Sequence, residues 1–313
     1  MFIISSKWND KLKPTIILLS WLKYMSCSTP YKLLDWVNEL NICWKMLSRN
    51  PRAVYILERN LEQVCWFGLS QNEQAIHILE KNISKVHWFT LSFNKNAMNI
   101  IEQYMKNARW FGLSQNPKAI HILEKNFKDI YWFALSLNTE AIHILEQNLS
   151  KVDWWGLSYN TKAIHILEKN MSFIDWEALS YNTEAIHILE KNLHMVNWEG
   201  LSQNTKAIHI LEKHMELVDW RGLSMNENAI HILENNLEYV DWEALSQNTK
   251  AIDILKNNRD NICWYMFSMN TAIVEIDYEE LKRRIEPFKK ELIEKCFHPD
   301  RIAKYYDYFM AEN

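Results

Sequence analysis

The chain has 313 residues, 48% hydrophobic and 24% charged, with a net charge of −4. That is ordinary soluble globular composition, and the mild acidity argues against a general phosphate-backbone binder, which needs a strong basic bias. Five glycines and six prolines leave little room for linkers or sheet-rich turns, and Cys27, Cys43, Cys65, Cys263 and Cys296, with no C-x-x-C spacing, read as reduced, mostly buried thiols in a cytosol-like compartment.

The stretch from Met1 to Lys7 lacks a basic region followed by a long apolar core, so no signal peptide is expected. The run from Thr15 to Leu22 is too short to span a bilayer and reads as a buried helix. Residues 1–43 read as an N-terminal helical cap containing a degenerate repeat, echoed by Trp21, Ser26, Pro30, Leu33 and Leu34. A cap is expected because an open stack exposes a repeat-sized apolar face.

From Trp44 a 22-residue unit recurs without insertion or deletion, marked by Trp44, Trp66, Trp88, Trp110, Trp132, Trp154, Trp176, Trp198, Trp220, Trp242 and Trp264. A fixed period in this range signals a solenoid. In the unit beginning at Trp110, Asn116-Pro117 is a helix start signal, and Ala119, Ile120, Ile122, Leu123, Asn126 and Phe127 share one face at helical spacing. This predicts a long helix of about three turns, with Asn126 as a left-handed C-terminal cap. Ile130 anchors a connector, and Asp153, Asp175, Asp219 and Asp241 are placed to cap a short helix of the form Trp-x-x-Leu-Ser. The expected class is an all-α solenoid of short-helix/long-helix repeats over residues 44–270 between helical caps at 1–43 and 271–313, one continuous domain. The alternative is a leucine-rich-repeat-like unit of similar length, which needs L-x-L-x-x-N at a strand; here the asparagine comes one place late.

After Trp264 the register shifts: Ala272 comes one place early. Tyr278 to Ile285 reads as a charged amphipathic helix ended by Pro287, followed by a helix from Phe288 to Cys296, a turn at His298-Pro299-Asp300 and a last helix from Arg301 to Phe309. Lys282, Arg283, Arg284, Lys289 and Lys290 read as a solvated cap face rather than a nucleic-acid patch.

The unit W-x-x-L-S-x-N-x-x-A-I-x-I-L-E-x-N, closed by Phe288-x-x-Glu291-Leu292 and His298-Pro299-Asp300-Arg301-Ile302, resembles repeat proteins encoded by giant DNA viruses of the nucleocytoplasmic large group. The resemblance covers roughly residues 21–310. It implies a viral origin and a repeat architecture, and says little of mechanism.

Comparing units assigns roles within the repeat. Two places after tryptophan the residue is small from Gly68 through Ala244, so neighbouring short helices can approach closely; Met46 and Met266 replace it in the flanking units. The invariant serines (Ser48 to Ser268) and asparagines (Asn50 to Asn270) read as caps for helix ends and connector amides rather than a ligand ladder. The histidines at 77, 121, 143, 165, 187, 209 and 231 point away from the apolar face and read as a solvated row, each paired with the glutamate three residues on. One histidine per helix is a poor metal site, since zinc needs several ligands converging at about 2 Å.

The position just after tryptophan reads Phe67, Phe89, Phe111, Phe133, Trp155, then Glu177, Glu199, Arg221, Glu243. Burying it would strand unpaired charges at a cost of several kcal/mol each, so it is expected to be exposed. Phe93, Leu137, Tyr159 and Tyr181 follow four places later on the same face. Together these nine residues are the candidate partner-binding stripe, about 40 Å long at a rise of about 10 Å per repeat. No Gly-rich phosphate loop, G-x-S-x-G or H-E-x-x-H occurs, so no catalytic set, cofactor or metal is expected. The expected function is a non-enzymatic protein–protein interaction scaffold, with a cytoplasmic or virion location and an unidentified host or viral protein as partner. Self-association through the same stripe is the alternative, and a single-stranded nucleic-acid binder a weaker one; no membrane partner is expected.

Overall fold

The computed structural model describes residues 29–295. The chain is an all-α repeat solenoid, as the sequence predicts, with a short helix, turn, second helix and connector in each repeat. Two units divide it, residues 33–273 and a smaller one holding residues 29–32 and 274–295 of the described chain.

The repeat at Trp154 shows how each part forms. The short helix is Trp154–Tyr159, and Asp153 caps it by accepting the Gly156 N–H at 2.8 Å. Asp175, Asp219 and Asp241 do the same at the helices from Trp176, Trp220 and Trp242, as their acidic type before tryptophan predicts, and Asn197 serves the helix from Trp198. Asn160 then opens a turn, its Oδ1 accepting the Lys162 N–H at 3.0 Å. The second helix, Ile164–Lys169, has six residues, and its counterparts have four to six rather than three full turns. The difference arises because the Asn-x-x segment is spent on the turn: the equivalent asparagines cap that turn, and helical hydrogen bonding begins only after the buried alanine. Asn126 and Asn170 are not left-handed either, with φ of −130° and −134°. Each ends its helix by donating from Nδ2 to the carbonyl four residues back at 2.8 Å.

Between repeats the polar core is a ladder. Ser158 is fully buried and accepts the Asp175 N–H of the following repeat at 3.0 Å. Asn160 donates from Nδ2 to the carbonyls of Ser136 and Asn138 in the preceding repeat at 2.9 and 3.2 Å. Ser at +4 and Asn at +6 from each tryptophan are buried in every repeat, so eleven pairs of polar side chains staple backbone to backbone where no regular ladder exists. No buried side-chain nitrogen or oxygen among the described residues lacks a hydrogen-bond partner.

The ladder has no open end. The Cys43 N–H of the first repeat donates to Ser268 Oγ of the eleventh at 2.9 Å, the bond that Cys65 makes to Ser48. Asn50 Nδ2 donates to the Asn270 carbonyl at 2.9 Å, as Asn72 does to Asn50. Trp36, in the lead-in to the first repeat, stacks on Phe267 at 5.7 Å and lies under Arg259. Repeat eleven is therefore the neighbour of repeat one, and the unit 33–273 is a closed ring in which each repeat is stapled on both sides. The end face that an N-terminal cap was expected to cover is covered by the other end of the array; residues 1–28 of that expected cap lie outside the described residues.

Closure fixes which layer faces inward. Adjacent short helices pack directly on one another around the ring, while the second helices are spaced more widely and bridged by long side chains. In a closed array the tighter row is the inner one. Small residues set that spacing: a Cβ on Gly156 would lie 3.0 Å from the Ser136 Cβ of the preceding repeat. Leu157, fully buried, points outward to the second helix, so positions +1 and +5, on the opposite side of the short helix, face the lumen.

Tyr31–Leu33 pairs with Val274–Ile276 in a two-stranded sheet, an element that the helical pattern of the repeats does not predict. Lys32 and Glu275 form an ion pair at 3.2 Å, and the Asp277 N–H donates to the Pro30 carbonyl. Helix Tyr278–Lys295 follows as one element. It runs through Pro287, where a helix end was expected: an interior proline costs one hydrogen bond and about 3 kcal/mol, which weakens a helix without obliging it to stop. Arg283 and Arg284 both bond Glu280, so this basic cluster is partly neutralised within its own helix. The turn at His298 and the helix from Arg301 lie outside the described residues.

Candidate functional site: an aromatic arc on the inner wall

Position +1 is solvent-facing, as its charges require. Phe67, Phe89, Phe133 and Trp155 are 39–45% exposed, and Glu177, Glu199, Arg221 and Glu243 are exposed in the same row. Only Phe111 is half-buried, because it sits mid-stack: its ring centre is 6.4 Å from both Phe89 and Phe133, with interplanar angles of 11° and 17°. Phe133 stacks on Trp155 at 5.9 Å, Trp155 on Tyr159 at 5.9 Å, and Tyr159 reaches Tyr181 at 6.1 Å. Phe93 meets Phe89 and Phe111 edge-on. Phe67 packs instead against His87 and the Arg49 guanidinium, and Leu137 is half-buried beside the stack.

The nine candidate residues thus fall in one arc of the inner wall. The stripe expected as a ridge along an open rod curves around a lumen, and its steps are near 6 Å rather than 10 Å, because inner-row spacing is set by ring stacking and small residues. Closure also adds two members that an open array leaves out. Lys45 and Tyr265 hold the same +1 position in the first and last repeats, both exposed, and complete the row. Tyr131, just before a repeat tryptophan, packs its ring edge-to-face with Phe111 at 5.8 Å; that position varies among cysteine, histidine, arginine, tyrosine, aspartate and asparagine, so no sequence signal marked it.

At the end of the arc, burial first and then the Glu199 and Glu177 carboxylates push the Tyr181 hydroxyl above its ordinary pKa. The outer wall differs. Its histidines pair across repeats, not along their own helix: His165 bonds Glu146 at 2.6 Å and His187 bonds Glu168 at 2.9 Å, each glutamate lying 19 residues earlier. The expected partner three residues on turns toward the next repeat's histidine instead. Lys162–Glu140 and Lys206–Glu184 add ion pairs between repeats, and Lys162 holds the Glu140 carboxyl below its ordinary pKa. Among the described residues no cluster of three His, Cys, Asp or Glu side chains is arranged to hold a metal, and no helix is long and apolar enough to cross a membrane. Cys43, Cys65 and Cys263 are half-buried free thiols.

No family model, curated protein or solved structure matches the chain.

Proposed function

We propose that the protein is a non-enzymatic scaffold that binds another protein through the aromatic arc of its inner wall. The observation that carries this reading is the unbroken stack Phe89–Phe111–Phe133–Trp155, with three of its four rings solvent-facing. Stacked aromatics left open to water are a partner surface by default. Two recurrent sets of polar positions have structural work: the serines and asparagines staple repeats, and the outer histidines and glutamates pair with each other. Polar side chains with such structural work favour a binding reading over a catalytic one. A virion or cytoplasmic setting and a viral origin rest on the repeat motif alone.

The test replaces Phe89, Phe133 and Trp155 together by glutamate. Each is exposed, so the melting temperature should stay within a few degrees while recovery of bound partners is lost. A melting temperature lowered by about 15 °C or more would place the row in the core and remove the reading.

A further inference from the structure

The inner wall is divided. Phe67 through Trp155 occupy one arc of the +1 row, and Glu177, Glu199, Arg221 and Glu243 fill its next four positions, running from beside Trp155 round to the far side of the lumen. These three carboxylates differ from those outside. The outer-wall glutamates at 102, 124, 146, 168, 190 and 212 each bond a histidine. The side chains of Glu177, Glu199 and Glu243 make no hydrogen bond or ion pair among the described residues, although two of them act together on Tyr181. One wall therefore carries an unpartnered apolar surface and, continuing from its end round the ring, unpartnered negative charge.

The width limits what fits between them. Eleven steps of about 6 Å make a circle roughly 22 Å across between opposite ring centres, narrowed by side-chain thickness to roughly 14 Å, against about 10–12 Å for one α-helix with its side chains. Resting on the partner-binding reading, we infer that the lumen receives a single amphipathic α-helix of another protein, its large apolar residues on the aromatic arc and its lysines and arginines on Glu177, Glu199 and Glu243. Helix-in-groove recognition needs an apolar floor and flanking charge of the opposite sign. The ring supplies both around a single opening, the acidic stretch beginning where the aromatic arc ends.

The experiment titrates the full-length protein into fluorescein-labelled 18-residue peptides followed by anisotropy, with stoichiometry from calorimetry. One peptide is amphipathic with leucine and tryptophan on one face and lysine on the other; a second has the same composition scrambled; a third replaces lysine by glutamate. The expected result is one basic amphipathic helix per chain, with the scrambled and acidic peptides at least tenfold weaker. Glu177→Lys/Glu199→Lys/Glu243→Lys should weaken the basic peptide at least tenfold and strengthen the acidic one. Glu80→Lys/Glu234→Lys, on the outer wall, should change neither by more than twofold. Equal binding of basic and acidic peptides, equal binding of the scrambled peptide, two or more peptides per chain, or no binding of any peptide would overturn the inference. Partner recovery that still depends on Phe89, Phe133 and Trp155 would leave the broader reading standing in each of those cases.

Discussion

Replacing Asn160 by alanine removes one staple between two repeats. Its Nδ2 donates to the Ser136 and Asn138 carbonyls at 2.9 and 3.2 Å, and its Oδ1 accepts the Lys162 N–H at 3.0 Å. Three hydrogen bonds at about 1 kcal/mol each, plus about 1–2 kcal/mol for buried backbone groups left without a partner, give a loss of about 4–5 kcal/mol. The Asn138 carbonyl keeps the Ala141 N–H, which holds the figure to this range. At the ring junction Asn50 makes one such cross-repeat bond, to Asn270, and accepts the Arg52 N–H, so Asn50→Ala should cost about 2–3 kcal/mol. In an open array the Nδ2 of Asn50 would face solvent, and only the turn bond, about 1 kcal/mol, would be lost. His165→Ala, which removes an exposed pair to Glu146, is the control at under about 1 kcal/mol. Urea unfolding of the parent and the three variants at constant m-value reads these differences directly. An Asn160→Ala loss no larger than that of His165→Ala would refute the ladder as the source of stability. An Asn50→Ala loss of about 1 kcal/mol or less beside a full loss at Asn160 would refute closure.

Gly222→Ala should destabilise by about 1–3 kcal/mol, since its Cβ would lie 2.7 Å from the Glu199 carbonyl of the preceding repeat, and backbone must move to admit it. Gly156→Ala meets nothing closer than 3.0 Å and regains about 1 kcal/mol of helix propensity, so its melting temperature should stay near that of the parent. Tyr181 should ionise above the ordinary tyrosine range in a spectrophotometric titration referenced to Tyr181→Phe. Glu199→Gln should bring it down only part of the way, because burial is the larger cause and carboxylate repulsion the smaller. A complete return to the ordinary value would make the carboxylates the main cause instead.

The sequence carries the repeat and its layers better than their assembly. A position that mixes phenylalanine with glutamate has one environment able to hold both, so the exposure of Phe67 through Glu243 is legible from residue types alone. Aspartate before tryptophan, and invariant Ser and Asn, likewise announce caps and connector bonds. Closure is not legible. It depends on a difference in spacing between the short-helix row, held by Gly156 against Ser136, and the outer row, bridged by His165 and Glu146. Small residues in a sequence say that approach is close, but not by what angle successive repeats turn. The same gap assigns each histidine to the wrong glutamate: the pair three residues apart is a neighbour on an isolated helix, and the pair 19 apart is a neighbour only once repeats are stacked. The missing members of the lumen row, Lys45 and Tyr265, follow from the same cause, since they join it only when the ends meet.

Closure is tested most directly by electron–electron spin distances between a label at Arg52 and a second label at each exposed equivalent position, Asn96, Lys162 and Lys250 in turn, placed with a non-native amino acid so that the cysteines stay as they are. In a closed ring Lys162 lies across the lumen from Arg52, while Asn96 and Lys250 are each two repeats away on opposite sides. The distance to Lys250 should therefore match that to Asn96, and the distance to Lys162 should be the longest of the three. Distances that rise steadily from Asn96 through Lys162 to Lys250 would contradict the ring.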